Sequence, residues 1–162
     1  DLREITLALA AEMLALAGVA DGPKSLQNAI DSGAAVRVAE KMIAAQHADA
    51  GVAAAPSRLA IAPERFDVLA PRAGFVARAD ALAIGRAAVA MGAGRARAED
   101  TVDPGVGISV LAKPGDRVER GQPLAALHVR KRAAYVDERV RAAFAIAGAP
   151  PAPRPLFIAR ID

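Results

Sequence analysis

The sequence predicts an α+β fold, with a helical segment first and an antiparallel sheet after it. Three observations carry this prediction. Apolar residues recur at helical spacing over residues 2–48. Beyond residue 63, short extended runs alternate with turns rich in Gly, Pro and Asp. Residues 124–129 place apolar side chains on both faces of one strand, which is typical of a strand in the interior of a sheet.

Composition bounds the class of protein. With 162 residues, 54% of them apolar, the chain can bury a core as one domain or two small ones. It lacks an apolar run of the roughly 18 residues that a spanning helix needs, so we expect no membrane association and a cytoplasmic location. The absence of Cys excludes disulfides and thiolate chemistry, and two distant His residues do not suggest a metal site.

The charge pattern does not favour nucleic acid as a partner. The net charge of +3 comes from 21 basic and 18 acidic residues that are dispersed along the chain. Aromatic residues, which stack on bases in single-strand binders, make up only 3%. We therefore expect a solvated surface of mixed charge and no nucleic-acid partner.

The first 48 residues predict three helices, at residues 2–17, about 23–32 and 34–48. The first helix is apolar on nearly all sides, so we expect a partner outside this chain to cover it. Because the chain also begins in mid-pattern at Asp1, it is interpreted as a fragment. His47 is interpreted as a residue of a helix terminus rather than a catalytic base.

Residues 51–63 are predicted to be a linker, and a hairpin of residues 66–70 and 75–79 follows it. Asp80 is predicted to cap a helix over residues 81–91. The remaining predicted elements are strands at 107–112 and 124–129, a short extended piece at 117–120, a helix at 133–147 and a last strand at 156–161. His128, in the second of these strands, is expected to be hydrogen-bonded and partly buried.

A glycine-rich loop, Gly92-Ala93-Gly94-Arg95, follows the helix that Asp80 begins. Phosphate-binding loops precede a helix, so this one is neither a P-loop nor a dinucleotide-binding turn. It is interpreted as a helix C-cap and chain reversal, and the alternative is a mobile loop that closes over a cleft.

Three carboxylates follow that loop in sequence, at Glu99, Asp100 and Asp103. They lack the ligand spacing of a calcium loop. We predict a surface loop whose acidic groups are neutralised by Arg95 and Arg97.

The segment GDRVERGQPLAALHVRK resembles the turn and strand that precede the modified lysine of biotinyl and lipoyl carrier domains. Lys131 lies where that lysine would be, but it is flanked by Arg130 and Arg132 and is predicted to open a helix. A carrier module modified at Lys131 and a non-enzymatic interaction domain are the two alternative functions.

A second resemblance covers the whole chain. The segments LREITLALAAEMLALAG, SGAAVRVAEKMIAAQ, APRAGFVARAD, IGRAAVAMGAGRARAEDTVDPGVGI and KPGDRVERGQPLAALH resemble, in this order, the C-terminal portion of thymidine and pyrimidine-nucleoside phosphorylases. The resemblance implies that residues 1–52 are the helical tail of an α/β domain. It also implies that residues 56–162 form a C-terminal α+β domain with a hammerhead-like, barrel-sandwich sheet.

The resemblance also implies a function. The family is a group of pentosyltransferases that reversibly convert thymidine and phosphate into thymine and 2-deoxyribose 1-phosphate. Inorganic phosphate is the co-substrate, no other cofactor or metal is expected, and the full-length enzyme is expected to be a homodimer. Family residues that bind phosphate and base lie upstream, so we expect no catalytic or substrate-binding residue in this chain. The expected contribution is support of the fold and cleft closure by the loop containing Gly92, Gly94 and Arg95.

Overall fold

The structure is a computed structural model that describes residues 1–131, 134–159 and 161, and the chain divides into two compact units. Unit 1 contains residues 1–59 and the tail from residue 154, and unit 2 contains residues 60–153. The described helices are α1 (Leu2–Leu16), α2 (Gly22–Asp31), α3 (Ala34–Ala45), α4 (Ala81–Ala88) and α5 (Ala134–Ala142). The described strands are β1 (Glu64–Leu69), β2 (Gly74–Ala79), β3 (Gly107–Val110), β4 (Arg117–Val118), β5 (Pro123–Val129) and β6 (Phe144–Ala147).

Unit 1 confirms the three opening helices. The Asp1 side chain accepts a hydrogen bond from the backbone N–H of Leu2 at the start of α1. Pro23 occupies the first turn of α2, where its missing N–H removes no helical hydrogen bond. Gly22 is buried where α2 approaches α1, and a Cβ added there would lie 3.2 Å from the Cβ of Leu14.

The apolar side chains of α1 are largely exposed. No residue of α1 is buried, and Leu16 and Leu2 are 89% and 75% exposed. The expectation that a partner outside the chain covers this helix stays a prediction. None of the described helices has the length and apolar character needed to cross a bilayer.

Unit 2 contains two antiparallel three-stranded sheets, with strand orders β1-β5-β3 and β4-β2-β6. The sheets do not close into a barrel, and the α+β class is confirmed. Strand β5 is central, as predicted, and Leu124, Ala125, Ala126 and Leu127 are each at most 1% exposed. The core forms where Leu124, Ala125 and Leu127 meet Val76 of β2 and the buried face of α5.

Three details of the predicted secondary structure were wrong. β1 and β2 do not form a hairpin, because β1 pairs with β5 and β2 pairs with β4 and β6. The last predicted helix is shorter: α5 ends at Ala142 and residues 144–147 are strand β6, while position 133 lies outside the described residues. Residues 156–159 and 161, predicted as a last strand, have no strand in the described structure.

Local propensity explains the error at β6. The run AAFAIA is rich in Ala, which favours a helix, but Ala79 and Val76 pair with Phe144 and Ile146 across the sheet. Phe144 and Ile146 are at most 9% exposed, so pairing and burial override the helical preference.

Candidate functional site

The loop that the sequence singled out begins at the end of α4. Asp80 begins this helix as predicted, since its carboxylate accepts a hydrogen bond of 3.0 Å from the N–H of Ala83. After Ala88 the chain widens into a single π-helical turn, Val89–Ala93. Gly92 within this turn has φ 101°, a left-handed conformation that a residue with a side chain rarely adopts. The α-helical hydrogen bonding therefore ends at Ala88, and the π-helical turn carries the chain past the predicted helix end at residue 91 to the reversal at Gly92.

Gly94 has an ordinary extended φ, but it is constrained by space. A Cβ added there would lie 2.8 Å from Cγ2 of Val89. Arg95, the next residue, is exposed, and its side chain makes no ion pair with any described residue. The structure thus places Gly92, Gly94 and Arg95 at the beginning of an exposed loop.

The carboxylates of this loop are not neutralised by Arg95 and Arg97, so that prediction was wrong. Oδ2 of Asp100 instead accepts the backbone N–H groups of Ala96 and Arg97, at 3.0 and 2.8 Å. Short Asp side chains commonly stabilise turns in this way. No cluster of three or more acidic or His side chains in the described residues is arranged to hold a metal ion.

Asp103 connects the loop to the end of β5. Its carboxylate accepts two hydrogen bonds from Arg130, with Nε to Oδ2 at 2.7 Å and Nη2 to Oδ1 at 3.2 Å. Oδ1 also accepts the N–H of Gly105 at 2.9 Å, and the N–H of Asp103 donates to the carbonyl of Gly92 at 2.9 Å. We call these four residues, Gly92, Asp103, Gly105 and Arg130, the loop clamp.

The electrostatics of the loop clamp agree with its geometry. The hydrogen bond from Arg130, with that from the Gly105 N–H, holds the pKa of Asp103 below its ordinary value. Asp103 in turn raises the pKa of Arg130. Gly105 is held closely, since a Cβ there would lie 3.2 Å from both the Ala62 nitrogen and Nη2 of Arg130. The clamp fixes both ends of the loop, and residues 95–99 between them are exposed.

Sequence analysis missed Arg130 as a functional partner. Asp103 and Arg130 are 27 positions apart, and no periodic pattern joins them. The sequence offered two weak indications of this ion pair. An arginine directly follows the strand predicted to be central, and the glycine-rich loop is followed by three carboxylates whose position relative to that strand was unknown.

His128 agrees with its prediction. Its Nε2 lies 3.0 Å from Oγ of Ser109 on the neighbouring strand, and the residue is partly buried. His47 follows α3 with φ 59°, and its N–H donates to the carbonyl of Ala44, so it lies at a helix terminus as predicted. The Ser109–His128 contact is a hydrogen bond between side chains of the paired strands β3 and β5.

Lys131 is exposed and follows β5 directly. It borders a small cavity of about 100 Å³ together with Phe66, Leu127 and Tyr135. Position 132, the second arginine beside it, lies outside the described residues. The next described element is α5 rather than the second strand of a hairpin, so the carrier interpretation is not favoured.

Comparisons with known proteins agree with the second resemblance. Residues 75–147 match the family model of the pyrimidine nucleoside phosphorylase C-terminal domain. The chain is 40% identical to a thymidine phosphorylase of Burkholderia cenocepacia (strain HI2424) over 168 aligned residues, which cover 99% of this chain and 38% of the relative. Thymidine phosphorylases of Burkholderia orbicola (strain MC0-3) and Burkholderia lata are 40% and 39% identical over 163 residues, covering 96% of this chain and 37% of each relative.

The chain therefore spans less than two fifths of the length of the curated relatives that it matches. The region matched by the family model contains β3 to β6 and all of β2 except Gly74, whereas β1 lies before it. The chain is a C-terminal thymidine phosphorylase-like part, and its residues 75–147 are similar to the pyrimidine nucleoside phosphorylase C-terminal domain.

Proposed function

We propose that this chain is the C-terminal part of a pyrimidine-nucleoside phosphorylase that acts on thymidine. The observation that carries the proposal is the 40% identity to thymidine phosphorylases over 99% of the chain. In the proposed reaction an oxygen of inorganic phosphate attacks the anomeric carbon, and the bond from that carbon to the base breaks. The base leaves with the electron pair and takes up a proton, and 2-deoxyribose 1-phosphate is the second product.

The chemical step requires cationic and N–H groups around phosphate and donors that stabilise negative charge on the departing base. We propose that these groups belong to the part of the phosphorylase that corresponds to the unmatched length of the relatives. Residues 1–52 would then be the tail of the α/β domain and residues 56–162 the C-terminal domain. Inorganic phosphate is the proposed co-substrate, without a further cofactor or metal, and the assembled enzyme is a proposed cytoplasmic homodimer.

The proposed role of this chain is mechanical. The loop clamp fixes both ends of the loop between Gly92 and Gly105, whereas Arg95 between them is exposed. A segment that is fixed at its ends, and whose middle is held by hydrogen bonds within the loop itself, can move over a cleft without unfolding the sheet beneath it. Lids of this kind exclude water from a reacting centre, and we propose Arg95 as the residue that anchors the closed loop.

A graft tests the proposal. The matched segment of the Burkholderia cenocepacia thymidine phosphorylase is replaced by this chain, and thymine release from thymidine and phosphate is measured by chromatography. We expect the graft to release thymine and the isolated 162-residue chain to release none. Thymine release by the isolated chain, or an inactive graft with the circular dichroism spectrum and oligomeric state of its parent, would contradict the proposal.

A pair of variants in the graft tests the loop. R95A is expected to lower kcat by about tenfold or more, because closure orients and dehydrates the reactants. R117A removes another exposed arginine, outside the loop, and should change kcat by less than about twofold, the size of an ordinary surface substitution. If R95A and R117A lowered kcat equally, Arg95 would have no specific role in loop closure.

A further inference from the structure

Unit 2 contains a second concave surface, which is lined by the end of β2, by α4 and by the C-terminal part of α5. This groove has a volume of about 320 Å³, within the range of small-ligand sites. Its charged lining consists of Arg78, Asp80, Arg86 and Arg139. We call it the arginine groove, and no feature of the proposed phosphorylase role accounts for it.

We propose that the arginine groove binds a small phosphate monoester, with its phosphate on the arginines and its organic part on the floor. This inference goes beyond the proposed function, because it assigns a ligand to a surface that the loop and the clamp do not use.

The floor of the groove is made of small side chains. Ala87 and Ala143 are at most 2% exposed, and Ala83 and Ala142 complete the lining. Alanines leave open the volume that larger residues would fill, and they offer methyl groups to the body of a ligand. An isolated phosphate would leave this apolar floor uncovered, which favours an ester over the free ion.

The charge of the groove matches a phosphate monoester. Arg78 is bound to Asp80, with Nη1 to Oδ2 at 2.9 Å. Three arginines and one aspartate leave two positive charges, and a phosphate monoester carries about −1.5 to −2 at pH 7. A single carboxylate would leave one of these charges without compensation.

The individual arginines are positioned to bind. The guanidinium of Arg86 makes no hydrogen bond or ion pair with any described residue, so its five N–H donors are available. The guanidinium carbon of Arg139 lies 5.3 Å from the centre of the Tyr135 ring, a cation–π contact that restrains its orientation. A restrained planar guanidinium loses less freedom when it binds two phosphate oxygens.

Asp80 organises the remaining arginine. Its carboxylate is held by the N–H of Ala83, which lowers its pKa, and the charges of Arg78 and Arg86 lower it further. The aspartate therefore remains ionised at neutral pH and keeps Arg78 at the rim. The same influence indicates that Arg86 lies near this pair.

The test uses the whole 162-residue chain labelled with ¹⁵N-arginine, and it follows the Nε–H signals by NMR. Ribose 5-phosphate is the probe, and ribose and inorganic phosphate are the comparison compounds. We expect saturable shifts of Arg86 and Arg139 with ribose 5-phosphate, at least about tenfold weaker binding of inorganic phosphate, and no shift with ribose. Affinity should fall as ionic strength rises from about 20 to about 200 mM.

Matched variants separate the site from general surface charge. R86Q and R139Q should each weaken binding by about tenfold, the usual effect of losing one charged hydrogen bond. R141Q changes the same charge on the same last turn of α5 but lies outside the groove, so its affinity should change by less than about twofold. R86K keeps the charge without the planar fork and should be intermediate.

Several results would overturn the inference. These are an absence of saturable shifts at Arg86 and Arg139, equal losses in R139Q and R141Q, or equal affinity for inorganic phosphate and ribose 5-phosphate. A phosphoserine peptide that binds more than about tenfold tighter than the sugar phosphate would also overturn it, since the occupant would then be a protein. Circular dichroism of each variant verifies that the fold is retained.

Discussion

Unit 1 and unit 2 contain similar apolar side chains but bury them to different extents. In unit 2, the side chains of Leu124, Val76 and Val140 are fully buried between two sheets and a helix. In unit 1, α1 and α3 bury no residue, and Leu9 and Met13 are 60% and 70% exposed. The difference is one of layering: in unit 2 two sheets and a helix cover one another's apolar faces, whereas the helices of unit 1 leave much of their apolar surface exposed.

The largest expected loss in the free energy of unfolding comes from a substitution at the centre of unit 2. L124A removes a fully buried side chain from β5 and should lower the free energy of unfolding by about 2–5 kcal/mol. L9A makes the same change on exposed α1 and should change it by less than about 0.5 kcal/mol. Urea unfolding followed by circular dichroism measures both, and similar losses would contradict the contrast between the units.

A smaller effect is expected where β2 approaches β6. Gly74 has φ 151°, and a Cβ there would lie 2.5 Å from the carbonyl oxygen of Ala147. G74A should therefore lower the free energy of unfolding by about 1–3 kcal/mol, because the sheet must shift to admit a methyl group. G148A, next to the same strand, adds its methyl group to open space and is the control. A G74A variant as stable as the unchanged chain would show that the contact between β2 and β6 is loosely packed.

A smaller, local effect on amide hydrogen exchange should distinguish the ion pair of unit 2 from that of unit 1. The Asp103–Arg130 pair has a 2.7 Å contact and a carboxylate that is 30% exposed, whereas Asp31 and Arg3 are 4.0 Å apart and 62% exposed. D103N should accelerate hydrogen exchange of the Gly105 amide by about tenfold, since it weakens the loop clamp. D31N should leave exchange in α2 nearly unchanged. If both variants behave alike, the clamp does not hold the loop.

The smallest expected effect is a pH dependence of the same clamp. The pKa of Asp103 is lowered in the folded chain, first by the hydrogen bond from Arg130 and then by the Gly105 N–H. Its stabilising contribution is therefore present above the ordinary value of 3.8 and is lost as the pH falls through the lower folded value. The ¹³C shift of the Asp103 carboxyl group should titrate below 3.8, and the Gly105 amide shift should follow it. A transition at or above 3.8 would contradict the contact.

Sequence patterns predicted those parts of the fold that depend on neighbours in the chain. The three opening helices, the cap at Asp80 and the turn around Gly92 follow from side chains within a few residues of each other. The interior position of β5 was also predictable, because both of its faces are apolar. The partners of β1 and β2 were not, since a strand shows which faces are buried but not which strand lies beside it.

The candidate site likewise has parts that the sequence predicted and parts that it did not. The glycine-rich loop and its carboxylates were visible in the sequence, but Arg95 and Arg97 were the wrong partners for them. Local charges suggested those residues, whereas the fold brings Arg130 to Asp103 and gives Asp100 two backbone N–H groups. The arginine groove left no sequence signal, because its cations come from a strand and two helices.

The sequence by itself determined the α+β class, the order of helices and strands up to β5, and the likeness to the phosphorylase family. These depend on periodicity, turn chemistry and ordered motifs, which are all local or linear properties of the chain. Only the tertiary structure decided the strand order of the two sheets, the strand at residues 144–147, the Asp103–Arg130 clamp and the arginine groove. Each of these joins residues that are distant in sequence, and their pairing depends on which surfaces are buried together.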